Sequence, residues 1–156
     1  MSIHVVAVNR KAYYDYHVLE SLEAGIALTG TEIKSVRAGA VNLREAYAQV
    51  EKGEVWLLNA HIARYEAGNR NNHEPTRPRR LLLHRRQIHD LVRQIQEKGV
   101  TLIPLKLYLK DQLAKVELGL VRGKKQYDKR ESIARREAER DIARAVRRET
   151  LAPRHR

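Results

Sequence analysis

The chain has no cysteine, no phenylalanine, one tryptophan and four prolines in 156 residues. Without cysteine there can be no disulfide, no thiolate metal site and no thiol nucleophile. With aromatics at 5% of residues, Trp56 and seven tyrosines, the core has to be aliphatic. No apolar run approaches the roughly 20 residues that a helix needs to cross a bilayer. Met1 to Arg10 has neither a basic leader nor a long apolar stretch, so the expectation is a soluble cytoplasmic protein.

Negative charge is also scarce. Nineteen Asp+Glu stand against 31 Lys+Arg, for a formal charge of +12. A chain so charged repels itself unless a polyanion offsets the field, which makes nucleic acid the leading partner class. The length suits one domain, or one domain with a tail. From Arg122 to Arg156 thirteen basic and six acidic residues give +7, leaving +5 before them. Strong apolar runs all lie before Arg122, so the expected partition is a body, 1–121, and a basic tail, 122–156.

In the body, Ala46 to Val50 and Val55 to Leu58 flank a short Gly53-containing connection and predict a hairpin. Leu102 to Leu109 and Ala114 to Val121 predict a second, joined by residues 110–113. Leu105, Leu107 and Leu109 alternate there with Lys106, Tyr108 and Lys110. Pro104 predicts an edge or a bulge. Tyr16 to Leu28 reads as a long strand bent at Gly25. Ile88, Leu91, Val92 and Ile95 set a one-sided stripe on a helix from Arg85 to Lys98, stopped by Gly99. Thr31 to Ala38 predicts a shorter helix capped by Thr31. Tyr65 to Arg80, rich in Gly, Asn and Pro, predicts an exposed loop. The sum is a mainly β protein, an OB-fold-like closed β-barrel with one long and one short packed helix. A ferredoxin-like sheet is the rival, but it would need two comparably long helices.

The catalytic patterns are weak. His84 and His89 are five apart, which does not place two imidazoles on one helix face, and no metal site or cofactor is expected. Gly123-Lys124-Lys125 fails as a phosphate-binding loop, because Gly119 is one residue too near and Lys125 stands where a hydroxyl is needed. Asp15, Glu32 and Lys34 form a set that a metal-dependent nuclease could use. The competing reading puts Glu32 in the first turn of a helix and Lys34 on its wet face.

The binding patterns are stronger. Arg77-Pro78-Arg79-Arg80, Leu81-Leu82-Leu83 and His84-Arg85-Arg86 alternate cations with an apolar anchor. Asn9 to Tyr16 mixes Arg10 and Lys11 with Tyr13, Tyr14 and Tyr16, which suits phosphate contact beside stacking, or else a half-buried strand. Arg122 to Arg130 has too little apolar content to join a core and is expected to be mobile when free. Ser132 to Glu149 has good helix formers with a thin apolar stripe, a helix expected to form on binding.

Several segments together resemble the SmpB family, the SsrA-binding proteins of bacteria. They are Asn9-Arg10-Lys11-Ala12 with Asp15-Tyr16; Glu23-Ala24-Gly25-Ile26 with Leu28, Gly30 and Glu32; Lys34 to Gly39 with Asn42-Leu43; Pro75-Thr76-Arg77 with Arg80 to His84; and Gly119 to Lys125 with Asp128-Lys129-Arg130. The resemblance implies an OB-fold protein, not an enzyme, that binds the tRNA-like domain of transfer-messenger RNA (tmRNA, SsrA RNA). It would deliver alanyl-tmRNA to the A site of stalled ribosomes for trans-translation, meaning ribosome rescue and tagging of the nascent peptide for proteolysis. By motif, Asn9, Glu23 and Leu82 fall at tmRNA-binding positions, with Arg10, Lys11, Arg37, Arg79, Arg80 and His84 as neighbours. Gly123, Lys124, Lys125, Tyr127, Asp128, Lys129 and Arg130 would meet the 16S rRNA near the decoding centre, the tail beyond lying helical in the empty mRNA channel. The chain departs from some relatives at Tyr127, where they carry His, and at Tyr13-Tyr14, where they carry Arg-His. The implied state is a monomer when free, with no membrane partner. The alternatives are the nuclease above and a generic basic RNA chaperone.

Overall fold

The computed structural model describes residues 2–65, 72–124, 136–138, 140 and 142. The chain divides into two compact units, Met1–Gly123 and Lys124–Arg156. In the first, the element order is β1 (Ile3–Val8), α1 (Arg10–Asp15), β2 (Tyr16–Ile26), α2 (Gly30–Arg37), β3 (Val41–Asn42), β4 (Tyr47–Glu51), β5 (Glu54–Leu58), β6 (His61–Ile62), β7 (Arg79–Leu82), α3 (Arg85–Lys98), β8 (Thr101–Lys110) and β9 (Leu113–Gly123). In the second, residues 136–138, 140 and 142 are helical, inside the stretch where helix formers cluster. Among the described residues no helix is long and apolar enough to cross a membrane.

Pairing closes the sheet on itself. Strands run β8-β4-β5-β7-β2-β9 and β9 returns to β8, every contact antiparallel, with β1 added along the far half of β8 and a separate β3-β6 pair. This is the closed barrel expected from the hairpin count, and closure removes most of the open sheet edge.

Both hairpins are tighter than the sequence suggests. Lys52 and Gly53 take φ of 51° and 77°, and Asp111 and Gln112 take 49° and 71°, so each is a two-residue loop with both central residues left-handed, as a type I′ turn requires. Asp111 is a non-glycine in this strained region, and it is held from outside. Its Oδ1 accepts from the Ser2 N–H at 3.1 Å while its own N–H donates to the Ser2 carbonyl at 3.0 Å.

Other expectations are corrected. The second helix begins at Gly30 and is capped by Thr29, not Thr31: Thr29 Oγ1 accepts from the Glu32 N–H while Glu32 Oε1 accepts from the Thr29 N–H, a reciprocal capping box. Thr31 instead bonds His73 Nδ1 at 2.9 Å. The bulge in β2 lies between Val18 and Glu20, not at Gly25, which pairs regularly with Lys115 and with Leu82. Gly25 is needed for close approach, since a Cβ there would lie 3.2 Å from Leu82 Cβ. The segment from Arg10 to Asp15 is a helix rather than a strand. The expected loop to Arg80 ends earlier, because Arg79 opens β7. Strand β9 retains Arg122 and Gly123, opposite His17 and Tyr16, so the body runs two residues past the expected boundary.

The bulge expected near Pro104 is present and decides the core. Pro104 pairs with Leu118 and Lys106 with Glu117, leaving Leu105 unpaired. The extra residue reverses the alternation. Leu102 and Leu107 therefore both face the barrel interior with Val116, Leu118 and Leu120, whereas Ile103 and Leu105 face outward into a second cluster with Ala12 and Val121. Leu105, Leu107 and Leu109 do not line one face. Leu105 lies over Gly119, where a Cβ would come within 2.8 Å of its Cδ1 and 3.0 Å of its Cγ. Gly119→Val is therefore expected to lower stability by about 1–3 kcal/mol through overpacking, measured as a shift in the urea midpoint of the 1–123 body.

Candidate nucleic-acid interface

Asn9 joins four segments. It is 2% exposed. Its Oδ1 accepts from the Ala12 N–H at 3.1 Å and caps α1, its Nδ2 donates to the carbonyls of Leu43 and Pro104 at 3.0 Å each, and its backbone N–H donates to Leu105 at 2.8 Å. These bonds leave the side chain nothing to present to a ligand. They do set α1 against the β8 bulge, so that Arg10, Lys11 and Tyr13 stand exposed on the helix. Lys11 Nζ lies 3.2 Å from Glu45 Oε1, and with Arg44 and Tyr47 they border a cleft of about 350 Å³. Tyr13 has its hydroxyl pKa raised, first by burial and then by the Glu117 charge.

Arg79 is also inside. It and Glu32 are both 0% exposed. Arg79 Nε donates to Glu32 Oε2 at 2.5 Å, its Nη1 to the Ala60 carbonyl at 2.7 Å and its Nη2 to the Pro75 carbonyl at 3.0 Å. Arg77 Nη2 donates to the other carboxylate oxygen at 2.5 Å. Burial pushes the Glu32 carboxyl up, but the Arg77 hydrogen bond, the Thr29 N–H and Arg79 together outweigh it and hold the pKa at about 2. Glu32 is thus a saturated structural anion. It cannot ligate a metal as the nuclease reading requires, and Lys34 is exposed on α2. Among the described residues no three His, Asp or Glu side chains cluster to hold a metal ion.

The remaining expected residues do converge. On β7 the burial alternates: Arg79 and Leu81 face in, Arg80 and Leu82 face out, and Leu82 is 46% exposed. His84 follows, exposed, at the N-cap of α3. Leu82 pairs with Gly25 on β2, and Glu23 lies two residues along the same outward face. Next come Lys115 and Glu117 on β9, then Lys106, Tyr108 and Lys110 on β8. Glu23 Oε2 accepts from the Tyr108 hydroxyl and lies 3.5 Å from Lys110 Nζ. The Tyr108 hydrogen bond lowers the Glu23 pKa; burial opposes it, and Lys110 and Lys115 reinforce it. Burial and the bond to Glu23 raise that of Tyr108. Tyr108, Lys110 and Lys115 were not singled out from the sequence. The signal was the alternation itself, in which the face of β8 opposite Leu107 and Leu109 is Lys-Tyr-Lys.

Arg37 is exposed in the last turn of α2. Gly123 ends β9, exposed, and Lys124 follows half-buried. Lys125, Tyr127, Asp128, Lys129 and Arg130 lie outside the described residues.

A closed antiparallel barrel whose outer wall carries cations, an apolar side chain and a tyrosine around a pair of carboxylates has the make-up of a small nucleic-acid-binding β-barrel protein. Comparison with known proteins makes the assignment specific. The family described as "SmpB protein" matches residues 6–148. An SsrA-binding protein of Carboxydothermus hydrogenoformans is 61% identical over 143 residues, covering 92% of this chain and 96% of its own. One from Roseiflexus sp. is 61% identical over 147 residues, covering 94% and 93%, and one from Shouchella clausii is 57% identical over 142 residues, covering 91% of each. Among solved structures, a chain described under "tmRNA-SmpB: a journey to the center of the bacterial ribosome" superposes with a TM-score of 0.65 at 47% identity, over 81% of this chain and 93% of that one. The chain belongs to the SmpB family.

Two outcomes follow from the buried polar groups. The Glu32 pKa is depressed on folding, so its contribution is complete above the ordinary value of 4.5 and disappears as pH falls towards 2. Over that window the wild-type body should lose about 3 kcal/mol that Glu32→Gln does not lose, read from urea melts at stepped pH. Asn9→Ala leaves two buried carbonyls without their donor and should cost about 2 kcal/mol at neutral pH, by the same measurement.

Proposed function

We propose that this protein binds tmRNA and acts in trans-translation. In this reading the barrel holds the tRNA-like domain, the protein accompanies alanyl-tmRNA to the A site of stalled ribosomes, and the segment after Gly123 meets 16S rRNA at the decoding centre and enters the empty mRNA channel. Ribosome rescue and tagging of the unfinished peptide for proteolysis follow. The observation that carries the proposal is the likeness to SsrA-binding proteins at 57–61% identity over more than nine-tenths of the chain. The outward face supports it physically: cations for phosphate, Leu82 for a ribose or base face, and Glu23 as an acceptor for base amino groups or ribose hydroxyls.

Within this reading the site residues divide by role. Glu23, Arg80, Leu82 and His84 touch the RNA, with Arg10, Lys11 and Arg37 supplying charge near it. Asn9 and Arg79, which have no exposed polar surface, act by fixing α1 and β7. Gly123 to Arg130 serve the ribosome. A nuclease using Asp15, Glu32 and Lys34 is disfavoured by the burial of Glu32. A generic chaperone would bind RNAs of equal length alike, whereas the reading favoured here requires a preference for the tRNA-like fold that survives added salt.

Truncation after Gly123, where β9 ends, should leave affinity for the tRNA-like domain nearly unchanged in filter binding while peptide tagging on stalled ribosomes in a reconstituted extract is abolished. Parallel loss of both activities would overturn this division of labour. Arg80→Ala should weaken binding to all RNAs tested and reduce the slope of log affinity against log salt by about one.

A further inference from the structure

The outer wall contains an arrangement that folding does not require. Glu23 on β2 and Glu117 on β9 are direct cross-strand partners, and like charges so placed are destabilising. Each is matched by a lysine from β8, with Lys110 Nζ 3.5 Å from Glu23 and Lys106 Nζ 3.9 Å from Glu117. These pairs are partly exposed and contribute little to stability. Tyr108 stands between the two lysines on the same strand and gives its hydroxyl hydrogen to Glu23 Oε2. The chain carries a net charge of +12, yet here it holds a carboxylate ionised and fixed in the middle of the face assigned to RNA.

The row beside it is shaped as well as charged. Tyr108 pairs with Lys115, Lys115 with Gly25, and Gly25 with Leu82. Gly25 has no side chain, and one Cβ there would meet Leu82 at 3.2 Å. The Leu82 side chain therefore lies over Gly25, and Lys115 stands between it and the tyrosine ring, so the row runs tyrosine, lysine, leucine with Glu23 at its side.

Resting on the reading that this face binds a tRNA-like RNA, the geometry points to Tyr108 as a positioning residue for Glu23. Its hydroxyl fixes Oε2, so that Oε1 is aimed at a donor on the RNA, a base amino group or a ribose 2′-hydroxyl, and Lys110 adds an opposite charge beside it. The depressed Glu23 pKa agrees, since its largest cause is the Tyr108 hydrogen bond. A carboxylate so held accepts a hydrogen bond while repelling a misplaced phosphate. The carboxylate therefore selects among polyanions, and the lysines around it supply the attraction.

The test uses the full-length protein and a transcript of the tmRNA tRNA-like domain, with an unstructured RNA of equal length as control. Glu23→Gln should weaken binding to the tRNA-like transcript by about tenfold and leave the control unchanged. Tyr108→Phe, which keeps the ring and loses only the hydroxyl, should produce most of that loss, and the double variant should bind no worse than Glu23→Gln alone. In Tyr108→Phe, binding should also fail at a higher pH than in wild type, because a carboxylate without its donor protonates earlier on acidification; Glu23→Gln should show no such step. Wild-type affinity in Tyr108→Phe beside a weakened Glu23→Gln, multiplicative losses in the double variant, or an unmoved pH profile would each overturn the role of Tyr108 and leave the functional reading standing. If the wild-type protein itself fails to prefer the tRNA-like transcript, it is the functional reading that falls.

Discussion

A single carboxylate clamped by two guanidiniums underlies the geometry of the barrel's outer wall. Glu32 arises from the first turn of α2, Arg77 from the segment before β7 and Arg79 from β7 itself, and none of the bonded oxygens reaches solvent. Desolvating such a group is costly, and replacing a buried ion pair by a well-packed apolar set of equal volume is often neutral or stabilising. What the ion pair adds is register. Side chains on a strand alternate, so a slip of one residue in β7 would turn Arg79 outward and bury Arg80. The slipped state would leave Glu32 Oε2 without its partner, the Ala60 carbonyl without its donor and Leu81 in water. Arg79 inside is therefore the reason that Arg80 and Leu82 are outside.

Asn9 serves the same purpose at the other end of the body, with an amide in place of an ion pair. Its two N–H groups join Leu43 to the Pro104 carbonyl at the point where the β8 bulge begins. The bulge lets one strand contribute to two apolar clusters, Leu102 and Leu107 to the barrel and Leu105 to the smaller cluster under α1. It also brings Lys106, Tyr108 and Lys110 onto the outer wall beside β9 and β2. One irregularity near a proline thus sets both the packing of α1 and the chemistry of the wall.

How much of this was legible depended on which signal local physics leaves in the chain. The hairpins and α3 were plain, since apolar periodicity and the glycines at 53 and 99 report only on neighbours in sequence. The cap of α2 was misplaced at Thr31, which offers the same chemistry two residues later, although Thr29 and Glu32 have the spacing of a capping box. Arg79 was not readable from composition. It sits in a run of cations that looks wet, and only its parity with the core residue Leu81 marks it as buried. Leu105 was misassigned for the converse reason: simple alternation holds until an inserted residue reverses it, and the sequence does not say on which side of Pro104 that happens. Tyr108 carries no local mark of its role, because its partner Glu23 lies on β2, 85 residues away in sequence.

The distribution of charge is consistent with this division between attraction and discrimination. Cations dominate the chain, and such a field draws in any polyanion while carrying no information about its shape or sequence. Discrimination requires groups that reward one arrangement of donors and penalise others. In the proposed reading those groups are few along the outer wall: a carboxylate held by a tyrosine, and an exposed leucine lying over a glycine. Leu82 is fixed from the interior by Arg79 through the parity of β7, and Tyr108 by the Pro104 bulge through the parity of β8. In the proposed reading, specificity at this surface is thus set from the interior of the barrel, and the surplus of positive charge supplies the attraction that brings the RNA to it.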